Sequence, residues 1–206
     1  ALQELDVGRR RTKKHDQAFI LAGLLEMDHH FHPAFHVEEE KYGDAVLTRL
    51  PVRLIRAGKL PGLPRRPWRE PRGAIWVGVG LKGRELQLIN THLGLSRRER
   101  QIQAGALLGP KWLGHPDCRE PVILCGDFNA LPGSPSFRLL TTALRDAQMA
   151  ASDHRPLGTW FGRFPFNRID HIFVDRSIQI TGVKVPRTAL TRTASDHLPL
   201  IVDLKF

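Results

Sequence analysis

Residues 123–137 read ILCGDFNALPGSPSF. An apolar run ends at Gly126, and Asp127 and Asn129 follow two positions apart, ahead of a segment crowded with Pro, Gly and Ser. The run from Pro121 to Cys125 reads as a buried strand, and Ser134 followed by Pro135 reads as a helix N-cap with a first-turn proline. Asp and Asn also favour caps and turns, so the pair has an ordinary explanation. Whether that explanation suffices depends on what the other strand ends carry.

Working outward, short apolar runs rich in β-branched residues recur at Ala45–Ile55, Ala74–Leu81, Leu86–His92, Ile169–Val174, Ile178–Val185 and Leu198–Leu204. Each is bounded by Gly, Pro or charged residues, as strands are. Residues 76–92, WVGVGLKGRELQLINTH, read as a hairpin broken at glycine. Helices are expected over Asp16–Leu25, over Gln101–Leu108 behind a Ser96/Glu99 capping box, and from Ser134 with Phe137, Leu140 and Leu144 on one face. Residues 56–73, RAGKLPGLPRRPWREPRG, are expected to form a surface loop. Many strands with a few intervening helices give an α/β sandwich, with sheets packed together and helices outside.

The chain of 206 residues fits one domain over 1–206. No apolar run approaches the roughly 20 residues that span a bilayer. Two cysteines, Cys118 and Cys125, exclude a disulfide framework and a Cys-based zinc site and suit a reducing, cytoplasmic setting. A net charge of +10 favours anionic partners, nucleic acid or phospholipid headgroups. It concentrates in RRRTKK (9–14) and LPRRPWREPR (63–72), where Arg9, Arg11 and Arg72 are candidate substrate contacts. A monomer is expected.

Polar groups recur at strand ends. Asn90 and His92 close one run, Asp127 and Asn129 another; Asp170 opens a strand, Asp196 and His197 precede another, and Glu4 follows the apolar start LQELD. Strand ends sharing one sheet edge are where α/β sites assemble. Carboxylates and an amide oxygen suit Mg²⁺ or Mn²⁺, and two histidines can move protons or stabilise an oxyanion. No GxSxG elbow, Walker loop or strand-following GxGxxG is present. Metal-assisted attack of water on phosphorus is the reaction this set serves best. Residues 27–36, MDHHFHPAFH, lack acidic or Cys ligands at fixed spacing and read as a strand. Trp160, Phe161, Phe164 and Phe166 read as core or rim packing, the alternative being a stack on a base or a lipid chain.

The ordered set LQELD, YGDAVLTRLP, INTHL, CGDFNALPGS, RIDHIFV and SDHLPLIVDL resembles the endonuclease/exonuclease/phosphatase superfamily, which includes deoxyribonuclease I, abasic endonucleases, neutral sphingomyelinases and inositol polyphosphate 5-phosphatases. The resemblance runs from residue 2 to the C-terminus. It implies a four-layer α/β sandwich of two packed mixed or antiparallel sheets flanked by helices, and a phosphodiester hydrolase using Mg²⁺ or Mn²⁺. Glu4 and Asp196 match metal ligands. Asp127 and Asn129 match the pair that orients water and holds phosphate or metal. His92 matches a histidine at the phosphate or leaving group, and His197 a general base or phosphate stabiliser oriented by Asp170. A phosphomonoesterase and a non-catalytic nucleic-acid-binding module are the alternatives. Asp44 stands where relatives often have Asn, and the family's first-strand Asn has no counterpart. A further 30 to 40 residues or so, enough for a strand and a helix, are therefore expected upstream. The short TWFGRFPFNRID segment (159–170) points away from abasic endonucleases, toward a compact sphingomyelinase-like or general nuclease-like branch.

Overall fold

The computed structural model describes residues 1–37, 39–64 and 68–206. Its centre is a six-stranded sheet of order β4-β5-β6-β7-β9-β8: β4 (Val52–Lys59), β5 (Gly73–Leu81), β6 (Arg84–His92), β7 (Val122–Asp127), β9 (Asp170–Val174) and β8 (Arg145–Asp146). Every pairing is antiparallel except β6 with β7, whose connection carries helix α2 (Arg97–Leu108). A three-stranded sheet of β1 (Leu2–Val7), β3 (Glu40–Thr48) and β2 (Asp28–Val37) and a two-stranded ribbon of β10 (Gln179–Lys184) and β11 (Ile201–Lys205) complete the strands.

Strand β5 shows why the layers stack. Its side chains alternate between faces and both faces are covered, so it is apolar throughout. Ala74 and Trp76 join Ala104 and Leu107 of α2 and Phe137 and Leu140 of α3 (Pro135–Leu140) in one core. Ile75, Val77 and Val79 face the other way, into a core shared with Val46 of β3 and bordered by Ile180 and Leu204. Helix α1 (Gln17–Leu25) covers the outer side of the small sheet through Ala18, against Leu5 and Ala45. Helix, small sheets, large sheet and helices make the expected four layers.

Local signals fare unevenly. Asp16 caps α1 and Ser134 caps α3, each accepting from the amide three residues on. The apolar run 45–55 is not one strand. It divides into β3 and β4 in different sheets, because Pro51 has no N–H for a ladder and restrains Leu50 before it. The basic loop begins later than expected, since 56–59 belong to β4; Arg65, Arg66 and Pro67 lie outside the described residues. Ser96 caps α2 through the Glu99 amide, but the capping box is not closed: the buried Glu99 carboxylate takes Arg69 at 3.2 Å. The last strand starts at Ile201, past Pro199. The histidine-rich stretch forms β2, and the described residues hold no metal-ligand cluster that includes it.

Candidate active site

Sheet register assembles the site. His92 at the end of β6 stands opposite Asp127 at the end of β7, and Asp127 stands opposite Asp170 at the start of β9. Opposed residues project to one face about 5 Å apart, so three neighbouring strands present three polar groups in a row. Gly126 makes this possible: it has φ 138, and a Cβ there would run into the Thr91 carbonyl of β6. Beyond it the chain turns sharply. Asp127 Oδ1 accepts the Asn129 amide at 2.7 Å, and Asn129 sits at φ 48, a left-handed conformation that Asn tolerates. Asn129 Nδ2 donates to the Leu93 carbonyl at 2.9 Å, which leaves its Oδ1 for a ligand.

Glu4 arrives from the small sheet. The β1–β3 register shifts between Leu2 and Leu5, and Glu4 takes φ 61 within that irregularity. Bulges re-aim side chains beside active sites. Here the Glu4 carboxylate stays 60% exposed, with Oε1 3.8 Å from His92 Nδ1. Asp196 and His197 come from the turn before β11. Gly162 N donates to the Asp196 carbonyl at 2.6 Å and Leu198 N to the Thr159 carbonyl at 2.8 Å, tying this turn to the 159–162 loop. His197 Nδ1 lies 2.9 and 3.0 Å from the two Asp170 oxygens, and its Nε2 lies 4.0 Å from Asp127 Oδ2.

Arg72, one residue before β5, donates from Nη1 to His92 Nδ1 at 2.9 Å and pairs with Glu70 at 2.8 Å. A guanidinium only donates, so His92 Nδ1 accepts from Arg72, while its Nε2 lies 3.1 Å from Asn129 Nδ2 and 3.3 Å from Asp127 Oδ2. Burial, the Arg72 charge and His197 together hold His92 down at about 3, so the ring is neutral. Asp127 moves the opposite way: burial and the nearby Asp170 charge raise it to about 7. Burial works against a charged His197, but the Asp170 hydrogen bond and the Asp170, Asp127 and Asp196 charges prevail and raise it to about 9. Asp44, buried beneath this cluster, is pushed up to about 8 by burial despite the countering Arg72 charge, with Glu4 and Asp127 adding to the rise.

These groups line a cleft of about 660 Å³, where Glu4, Arg72, His92, Asp127, Asn129, Asp196 and His197 meet. Of the expected residues only Asp170 stands behind the lining, against His197, and only Arg9 and Arg11 lie elsewhere. Their guanidiniums are taken up by buried Asp6 and by the Tyr42 ring, 5.5 Å from each. Glu70, Arg100, Ser134 and Asn167 also line the cleft. Arg100 carried no sequence signal, since it sits in an ordinary exposed-looking helix start, SRRER. Its Nη1 donates to the Leu95 carbonyl at 2.5 Å.

A divalent cation fits this donor set. Glu4, Asn129 and Asp196 line the cleft with the hard oxygen donors such an ion takes, and beside them Asp127, Asp170 and His197 bring their polar atoms within 4.8 Å of one another.

The family model described as Endonuclease/Exonuclease/phosphatase family matches residues 1–197. The chain belongs to the endonuclease/exonuclease/phosphatase family. Members of this family are hydrolases acting on phosphoester bonds, commonly with divalent metals. The uncharacterized protein YbhP of Escherichia coli K12 is 28% identical over 170 residues, 81% of this chain and 64% of YbhP. The chain thus spans about two thirds, 64%, of the length of the curated relatives it matches. Among solved structures of the family's fold, the Bacteroides thetaiotaomicron mannosyl-6-phosphatase Bt3783 superposes with a TM-score of 0.74 at 22% identity, over 92% of this chain and 81% of that one. The human Nocturnin catalytic domain with a bound sulfate gives 0.71 at 21% identity, over 100% and 79%. At such identities the likeness is one of fold.

Proposed function

We propose that the chain is a divalent-metal-dependent phosphodiester hydrolase. The observation that carries this reading is the single row His92–Asp127–Asp170, closed by His197 and faced by Glu4. Glu4, Asp196 and the Asn129 oxygen would hold a Mg²⁺ or Mn²⁺ ion, which when bound neutralises phosphate charge and polarises the P–O bonds. Asp127, poised near neutrality, orients the attacking water and takes its proton. Asp170 fixes the Nδ1 proton of His197 and keeps the ring cationic, so Nε2–H faces a phosphoryl oxygen. His92 stands neutral beside the phosphate, and Arg72 adds a fixed positive charge behind it. In the metal-free cleft ionised Asp127 and protonated His197 coexist between about pH 7 and about pH 9, and a bound cation would carry the lower limit down.

Phosphomonoester hydrolysis is the second reading, favoured by the mannosyl-6-phosphatase among the structural neighbours. Activity on bis-p-nitrophenyl phosphate and on p-nitrophenyl phosphate, with Mg²⁺ or Mn²⁺ and an EDTA control, separates the two. Asp127→Asn and His197→Ala should each lower diester turnover by about 10²–10⁴-fold while leaving the melting temperature near wild type. Near-normal hydrolysis by the His197→Ala protein overturns the assignment.

A further inference from the structure

One rim of the cleft is apolar and projects into solvent. Trp160 lines the cleft, and Phe161 and Phe166 pack edge-on against it with ring centroids 5.9 and 6.5 Å away. Phe161 is 44% exposed, Phe164 75% and Phe166 74%. The loop is not loose. Phe166 N and Asn167 N donate to the Trp160 carbonyl at 3.1 and 2.8 Å, Phe164 N to the Phe161 carbonyl at 2.8 Å, and Gly162 N to the Asp196 carbonyl at 2.6 Å. The phenyl rings are therefore held outward by a braced backbone, although a soluble surface rarely clusters such groups without a partner. Across the mouth, Leu95 is 70% and Leu131 49% exposed, and both line the cleft.

We infer that this rim docks the protein on an anionic phospholipid bilayer, presenting a headgroup phosphodiester to the cleft; the substrate half of this inference rests on the reading given under Proposed function. Two features select a bilayer as occupant. Exposed Arg163 lies between Phe161 and Phe164, exposed Arg97 and Arg98 follow Leu95, and the whole chain carries +10. Phenyl and leucyl groups interspersed with guanidiniums match the acyl–headgroup boundary, where apolar groups enter and cations meet lipid phosphates. Single-stranded nucleic acid would use flat aromatic faces, and the leucines opposite offer none. A second copy of the chain would bring two like charges of +10 together.

The test is co-sedimentation in EDTA with vesicles of phosphatidylcholine alone or phosphatidylcholine with phosphatidylserine, alongside binding to a single-stranded oligothymidylate. Wild type should partition at least about tenfold more strongly onto the anionic vesicles than onto the neutral ones, and the Phe164→Ser/Phe166→Ser double variant should lose about tenfold of that binding. Hydrolysis of the soluble diester by the double variant should stay within about twofold of wild type, which shows that the cleft is intact. Absent vesicle binding, or binding that the double variant retains, overturns the inference. So does loss of oligothymidylate binding alone, which would make the rim a base-stacking platform. Because docking is read without turnover, failure of the diester assay in wild type falls on the proposed activity and leaves the docking result standing.

Discussion

At the scale of single residues, the cleft separates two histidines that the sequence presents alike. His92 faces a guanidinium at Nδ1 and is held neutral, whereas His197 faces a carboxylate at Nδ1 and is held charged. The same ring therefore stands neutral on one side of Asp127 and cationic on the other. Replacing Arg72 tests this directly. Arg72→Met removes a charge that lowers His92 and the donor at its Nδ1, so the His92 pKa should rise from about 3 toward the ordinary histidine range. Long-range ¹⁵N correlations should report an unprotonated Nδ1 in wild type and partial Nδ1 protonation in the variant; an Nδ1–H wild-type ring would refute the Arg72 contact. Burial remains in the variant, so the rise stops short of an exposed histidine.

At the scale of elements, β9 serves the site from both faces. Asp170 turns to His197, while the next residue, His171, turns into the core against α3. There its ring nitrogens reach Asp146 Oδ2 and the Ala130 carbonyl, both at 2.8 Å, and Arg168 holds the other Asp146 oxygen at 2.5 Å. This buried network pins the residue after Asn129 and so braces the GDFN turn. Burial alone would raise the Asp146 carboxyl, but His171 and Arg168 outweigh it and hold the carboxyl below the usual range. A depressed carboxyl stabilises the fold fully above its unfolded value, about 3.9. That contribution is lost as pH falls through the lower folded value. Asp146→Asn should cost about 3–5 kcal/mol at pH 7, because it leaves Arg168 buried and unpaired. The gap between variant and wild type should shrink as the pH approaches 3. Melting temperatures across pH 3 to 7 check both; a gap that does not change with pH would refute the linkage.

At the scale of the whole molecule, the +10 charge reaches the cleft through only one of the three arginines expected there, Arg72. Arg9 and Arg11 are consumed by Asp6 and Tyr42, and Arg53 pairs with Glu85 at 2.7 Å on the surface. The cleft keeps Arg72 and Arg100. Long-range attraction of an anionic substrate is screened within about 10 Å at 0.1 M salt. The value of kcat/KM for a charged diester should therefore fall severalfold between about 0.01 and 0.15 M ionic strength, mostly in KM, while a neutral aryl ester analogue should show no such trend. Equal salt dependence for both would place the effect elsewhere.

The chain's own order of residues determined much of this. Apolar runs ending on polar groups, caps at Ser96 and Ser134, and the GDFN, RID and SDH sets are local, and local chemistry makes strands, helix starts and tight turns legible. That Glu4, His92, Asp127, Asn129, Asp196 and His197 share a cleft follows from strand-end position once the strands pair. Only the tertiary structure decided the rest. Strand pairing set which run divides between two sheets at Pro51, which arginines are spent on Asp6, and which arginine faces His92. It also left three phenylalanines outward beside the cleft, where composition favoured packing. The physical reason is common to all of these: burial, hydrogen-bond partners and pKa depend on neighbours distant in sequence, which residue order alone does not specify.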